Sequence, residues 1–271
     1  MNVLLLIAAA FYSIAVLHSI LTLLRKRRIL VSVSLGSLSI GLIFHTASIL
    51  GRGMSASRFP LVGMQEAFSF LAWAIVVYYL IAYSLYRVQA LSSFLFPLIF
   101  IWTLIAAFLP APQDAPATIR GEWNTWLFPV HTTLILFSYA SFFVMFVAGV
   151  MYLIQEREIK LKRFGLMFFR LPSLDTCDDI SYKSLTIGFV LLTLGIITGM
   201  IWGSQRDGRL WHNDPKEIIA AATWLIYLLV MHYRLTAGWR GRRAALLAIA
   251  GFALIIFSLV GARYLGGYHA F

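Results

Sequence analysis

Trp202-Gly-Ser-Gln-Arg206-Asp-Gly-Arg209-Leu-Trp211-His212-Asn-Asp214-Pro215-Lys216-Glu217 is a short polar island between two long apolar segments, roughly 184–203 and 218–235. A run of this kind between stretches of about 20 apolar residues reads as a loop joining two membrane-spanning helices. Its tryptophans suit the boundary between bilayer and water. A flat aromatic ligand with charged edges would find rings to stack on and cations to pair with there. Asp214-Pro215-Lys216-Glu217 also reads as a helix start, with Asp as the cap and Pro in the first turn. A capped span with interfacial Trp anchors is therefore the plain alternative to a binding site.

Outward from the island the chain keeps this character. Of 271 residues, 61% are hydrophobic and 12% charged, more apolar surface than a soluble domain can hide. The apolar segments are long and do not alternate, which excludes a β-barrel in favour of helices. The expectation is an all-α integral membrane protein with eight transmembrane helices, forming one polytopic membrane domain over 1–271. The spans are placed at about 3–24, 29–50, 64–86, 91–110, 127–154, 184–203, 218–235 and 244–262, with a Trp-rich outer loop at 202–217. The first span runs to Arg25-Lys-Arg-Arg28 without a small-residue cleavage site and is read as a retained anchor.

Charge sets the orientation. Fifteen Lys and Arg fall in one set of loops, around Arg25–Arg28, Arg87, 157–183 and 234–243; seven fall in the other set, Arg52, Arg58, Arg120, Arg206, Arg209, Lys216 and Arg263. The richer side is cytoplasmic, so both termini and the island are extracytoplasmic. The net charge of +11 is thus a topology signal and not a nucleic-acid footprint, because no basic domain stands outside the apolar segments. The single cysteine, Cys177, excludes an internal disulfide or CxxC redox chemistry.

Ionisable groups inside spans are functional candidates by default, and neutral imidazole is a common haem-iron ligand. Topology sorts the six histidines by depth. His131 sits at the outer mouth of span five, after Trp123 and Trp126; His269 lies in the outer tail, His212 in the island and His45 in the outer half of span two. His18 and His232 lie toward the inner side. Two pairs can clamp an iron from both faces: His131 with His269 outside, and His18 with His232 inside. Against this, each also has a simpler reading as a polar helix contact or interfacial residue, and His45 as a hydrogen bond to a neighbouring helix. Arg206, Arg209, Lys216, Arg120, Arg52 and Arg58 lie on the outer side, where propionates would need cations. Solvated headgroup contact explains these arginines equally well.

Gly188-Phe189, then 192–199 as Leu-Thr-Leu-Gly-Ile-Ile-Thr-Gly, Trp202, Trp211, Asp214–Glu217 and Thr223-Trp224-Leu-Ile-Tyr227 together resemble the tryptophan-rich WWD region of haem-handling cytochrome c assembly proteins. The likeness is greatest to the CcsA (ResC-like) branch. His232, Arg234, 238–243, Tyr268-His269, 136–140, 171–175 and Pro60-Leu61 with Glu66 extend it over most of the chain. The resemblance implies haem b, bound or in transit, with His131 and His269 as axial ligands of an external haem. It implies His232 as a transmembrane iron ligand, with His18 as an in-chain partner, and Trp202, Trp211, Asp214 and Trp224 against the porphyrin. It further implies a bacterial inner-membrane, multi-pass protein that passes haem outward for attachment to apocytochrome c, beside a CcsB/ResB-like subunit, as part of a thioether-forming holocytochrome c synthase complex.

The chain departs from the pattern at several points. Asn213 stands where a Trp usually precedes Asp-Pro-Lys-Glu, His212 where a small residue is common, and Ile218-Ile219 where Thr-Trp is usual. Gly63 and Gln65 replace Asn and Tyr. These departures keep a second reading open, a HemX-like membrane regulator or scaffold of haem biosynthesis. An unrelated small-molecule transporter is the third, although no paired broken helices or inverted repeat support it. No general base stands out; His212 is the one candidate and is as readily a surface residue.

Overall fold

The computed structural model describes residues 3–25, 27–61, 63–110, 126–162 and 165–257, with all their side chains except those of Asp207 and Lys216. Every regular element among them is a helix: α1 Val3–Leu24, α2 Arg28–Ala56, α3 Met64–Tyr86, α4 Gln89–Phe108, α5 Leu127–Lys160, the short α6 Leu166–Arg170, α7 Leu174–Asp207, α8 Pro215–Thr236 and α9 Arg242–Ile256. Seven described helices, α1 to α5, α7 and α8, are long and apolar enough to cross a membrane. Helices suit that setting because each satisfies its own backbone hydrogen bonds. The expected eighth span overlaps α9, and its end falls outside the described residues, as do Trp123, Arg120, Arg263 and His269.

The helices fall into two compact units. In the first, α1 packs on α2 and α4, and α3 on α2 and α4. Small residues line the α1 seam: Ala8, Ala9, Ala15 and Ser19 are buried. Ser34 Oγ donates to the Ala15 carbonyl at 2.9 Å and Ser93 Oγ to the Ser19 carbonyl at 2.8 Å. Such hydroxyl-to-carbonyl bonds and small side chains are how helices associate where lipid removes the usual hydrophobic drive.

In the second unit α5 and α7 pack side by side and antiparallel, with α8 on α7 and α9 on α5 and α8. Glycines on α7 bring the pair close. A methyl group on Gly188 would lie 2.7 Å from the Phe142 ring, one on Gly195 2.6 Å from Ile135, and one on Gly199 2.7 Å from His131. Tyr227 of α8 lies flat on Phe142 of α5, centroids 3.7 Å apart. Ser173 caps α7 by accepting the Thr176 N–H at 3.2 Å. Gly208, at φ 77°, closes it. That left-handed residue turns the chain out of the helix and into the island.

Candidate functional site

The start of α5, the end of α7 and the start of α8 meet at one end of the second unit, and His131, Trp202 and the island lie there. His131 donates from Nδ1 to the Gly195 carbonyl at 2.7 Å. That bond selects the tautomer with the lone pair on Nε2, the arrangement found when a histidine ligates a metal through one nitrogen and is oriented by a backbone carbonyl through the other. Thr198 Oγ1 donates to the same carbonyl at 2.9 Å. The imidazole stacks on Trp202, centroids 6.3 Å apart and planes 26° off parallel. Trp202 is buried, is flanked by Phe128 at 5.3 Å, and carries the Arg206 guanidinium over its ring at 5.4 Å. An imidazole, an indole and a guanidinium are thus stacked in sequence, and that donor set suits a haem: a basic nitrogen for iron, an indole that braces the imidazole and a cation for propionate.

The island folds around Glu217. Its carboxylate accepts the His212 backbone N–H at 2.7 Å, the His212 Nδ1–H at 2.9 Å and the Asp214 N–H at 3.4 Å. The last is the reciprocal half of a capping box, so the Asp-Pro-Lys-Glu motif does start a helix. Asp214 is buried. Asn213 adopts φ 56°, a left-handed geometry that Asn tolerates better than most residues, and its side chain accepts the Trp211 Nε1–H at 2.7 Å. Trp211, Arg209 and Leu210 remain exposed. His212 is no surface residue: its side chain is only 9% exposed and rests on Gly203, where an added methyl would lie 3.0 Å from Cε1.

Other candidates are placed apart from this end. Trp224 lies deeper, donating from Nε1 to Thr193 Oγ1 at 2.9 Å and stacking on Phe189, so it ties α8 to α7 in mid-span. His232 is at the opposite end of α8, exposed, with its ring 5.8 Å from Tyr233. Beside it Arg234 makes a two-pronged pair with Asp178, at 3.1 and 2.6 Å, while the Gly241 N–H also bonds Asp178. Lys216 has no described side chain, and His269 lies outside the described residues.

The first unit holds His18 and His45. His18 donates from Nδ1 to the Ile14 carbonyl, one turn back, at 2.8 Å. His45 is fully buried with both nitrogens engaged: Tyr12 Oη at 3.2 Å from Nδ1 and Ser69 Oγ at 3.0 Å from Nε2. It joins α1, α2 and α3, which is the neighbouring-helix reading. One turn along α3 from Ser69, the buried Glu66 takes Arg58 through two nitrogens, at 2.9 and 3.0 Å, and Arg52 Nε at 3.0 Å. Both arginines are therefore bound to a carboxylate of the chain itself. The sequence offered no pairing signal for these groups, nor for Gly195, Gly199 and Gly203; only the four-residue glycine spacing hints at a close helix face.

The sequence model of the family described as "Cytochrome C assembly protein" matches residues 61–269. "Cytochrome c biogenesis protein CcsA" of Prochlorococcus marinus subsp. pastoris is 29% identical over 252 residues, covering 84% of this chain and 80% of the relative. The protein of the same name from Prochlorococcus marinus strain MIT 9312 is 31% identical over 249 residues, covering 83% and 80%. The one from Guillardia theta is 30% identical over 260 residues, covering 88% and 85%. Among solved structures, "Cytochrome c Heme Lyase CcmF" superposes with a TM-score of 0.67 at 16% identity, over 97% of this chain. The chain spans about half of that protein, 49%, and the likeness is one of fold.

Proposed function

This chain belongs to the cytochrome c assembly protein family, and from that premise we propose that its outer site binds haem b and presents it for attachment to apocytochrome c. It is a multi-pass membrane protein that acts in cytochrome c maturation. In the proposed arrangement His131 and His269 are the axial ligands. Trp202 and Trp211 lie against the porphyrin, Asp214 shapes the loop, and Arg206, Arg209 and Lys216 pair with the propionates. His232, with His18 or a CcsB/ResB-like subunit supplying the opposite ligand, holds haem on its way through the membrane. Trp224 braces the helix between the two positions. The membrane is the bacterial inner membrane, crossed eight times by one polytopic domain with both termini outside.

The observation that carries this reading is the His131 Nδ1–H bond to the Gly195 carbonyl, beside the Trp202 stack. The bond orients the ring from a neighbouring helix and puts the lone pair on Nε2, the nitrogen assigned to iron in this reading. Purified protein is expected to carry haem with a bis-histidine spectrum and to lose it in His131→Ala and in His269→Ala. Unchanged haem content and spectrum in both variants refute the outer site.

A second reading, a HemX-like regulator or scaffold, draws on Asn213. That residue and Trp211 bond to each other, so the loop closes on itself where the family pattern has another ring. Failure to restore c-type cytochromes in a strain lacking its own assembly protein, with haem still bound, decides for that reading.

A further inference from the structure

We propose that the first unit binds an anionic phospholipid at the end where α6 and the α1–α2 and α3–α4 turns gather. This goes beyond the haem reading and does not depend on it. A small cavity there is lined by Thr22 of α1, Ser34 of α2, Tyr83 of α3 and Gln89 of α4, among others. The end of α1, the start of α2, the end of α3 and the start of α4 therefore meet at one place. Arg170 of α6 joins them, donating from Nη2 to the Leu24 carbonyl in the last turn of α1 at 3.2 Å. Arg25, Arg27 and Arg28 stand at the first turn and Arg87 at the second, all four exposed.

The first support is charge. Among the described residues none of these five guanidiniums pairs with a carboxylate: Arg87 lies over the Tyr83 ring at 5.7 Å, and Arg170 meets a carbonyl. The sequence has one acidic residue, Glu66, between positions 1 and 113, and none between 164 and 172. Glu66 is in the first turn of α3 and already holds Arg52 and Arg58. It stands about 30 Å from Arg87 along that helix. The second unit is built otherwise. Lys160, Lys183 and Arg234 have Glu156, Asp179 and Asp178 at 2.7, 2.9 and 2.6 Å. Orientation in a membrane asks only for positive charge near the ends of spans. It does not ask that one unit's cations lack carboxylates while the other's have them. Clustered guanidiniums repel one another, and a phosphate, which accepts their nitrogens in pairs, removes that repulsion.

The second support is the apolar surface beside those cations. Next to Arg170, α6 exposes Leu166, Met167 and Phe169, the last at 68%. Leu24, Ile29 and Leu85, at the adjoining ends of α1, α2 and α3, are exposed as well. Consecutive spans turn at one edge of the bilayer, so α6, which joins α5 to α7 in the chain, lies at headgroup depth. A free anion has no use for such a surface, whereas acyl chains cover it. Guanidiniums above exposed aliphatic and aromatic side chains suit a lipid whose phosphodiester charge sits above its acyl chains.

The test uses the full-length protein, freed of lipid in detergent, with lipid binding read by native mass spectrometry and stability by thermal denaturation. Phosphatidylglycerol is expected to bind about tenfold more tightly than phosphatidylcholine and to raise the melting temperature, and inorganic phosphate to leave it unchanged. Arg27→Gln combined with Arg87→Gln is expected to abolish the preference for phosphatidylglycerol. Lys160→Gln combined with Lys183→Gln removes as many positive charges from the second unit and is expected to keep it. Equal binding of the two lipids by the wild-type protein overturns the proposal, and that comparison needs no variant to fold. Equal loss of the preference in both double variants also overturns it, since net charge then decides. Stabilisation by inorganic phosphate equal to that by phosphatidylglycerol overturns the lipid as occupant.

Discussion

His45 in the first unit and His131 in the second are both histidines of long apolar helices, and the two are held in different ways. His45 has hydroxyl partners on both ring nitrogens, drawn from α1 and α3, and no exposure. His131 is half-buried and is oriented by a backbone carbonyl at one nitrogen, with an indole stacked on its ring. Arg58 and Arg52 close on the buried Glu66, whereas Arg206 lies over Trp202. A polar group satisfied on every side stabilises a bundle. One oriented through a backbone carbonyl has its ring direction set by the helix it meets.

Replacing each histidine by alanine tests this contrast most strongly. His131→Ala is expected to lower haem content by more than about tenfold, whereas His45→Ala retains haem, both read from pyridine haemochrome spectra. Equal loss in the two variants breaks the distinction. The cost of His45→Ala is instead structural: Tyr12 and Ser69 lose a buried partner, worth about 1–3 kcal/mol of stability, read from thermal denaturation in detergent. Gly199→Ala sharpens the comparison. The new methyl meets the His131 ring at 2.7 Å and is expected to weaken haem binding by about tenfold, whereas Gly36→Ala, with open space around it, leaves binding unchanged. The smallest effect belongs to Trp224→Phe, which keeps the stack on Phe189 and loses the hydrogen bond to Thr193. About 0.6 kcal/mol of stability is expected to go, with haem content intact. A large haem loss there would move Trp224 from brace to ligand contact.

Hydropathy and local chemistry made the helices legible, because a span must be apolar along its whole length and a helix must be capped at its ends. The Asp214–Glu217 start and seven of the eight expected spans are of that local kind, although α7 runs from Leu174 to Asp207, well beyond the 184–203 placed for it. His131 also stood out, from its depth and from the family likeness around it. The partners were not legible. His131 meets a carbonyl 64 residues on, and Arg234 meets Asp178 across 56 residues. Trp224, grouped with the island by motif, lies deeper because a helix carries nine residues about 13 Å from its start.

The amino-acid order by itself determined that this protein lives in a membrane, roughly where its long apolar helices lie, and that a helix starts at Asp214-Pro215. Those properties follow from neighbours in the chain. Only the tertiary structure decided that Arg52 and Arg58 belong to Glu66, that His45 braces three helices, and that His212 turns inward to Glu217 on the glycine face it shares with His131. A hydrogen bond is set by distance in space, and side chains of the same type become structural or functional only once other helices supply their partners.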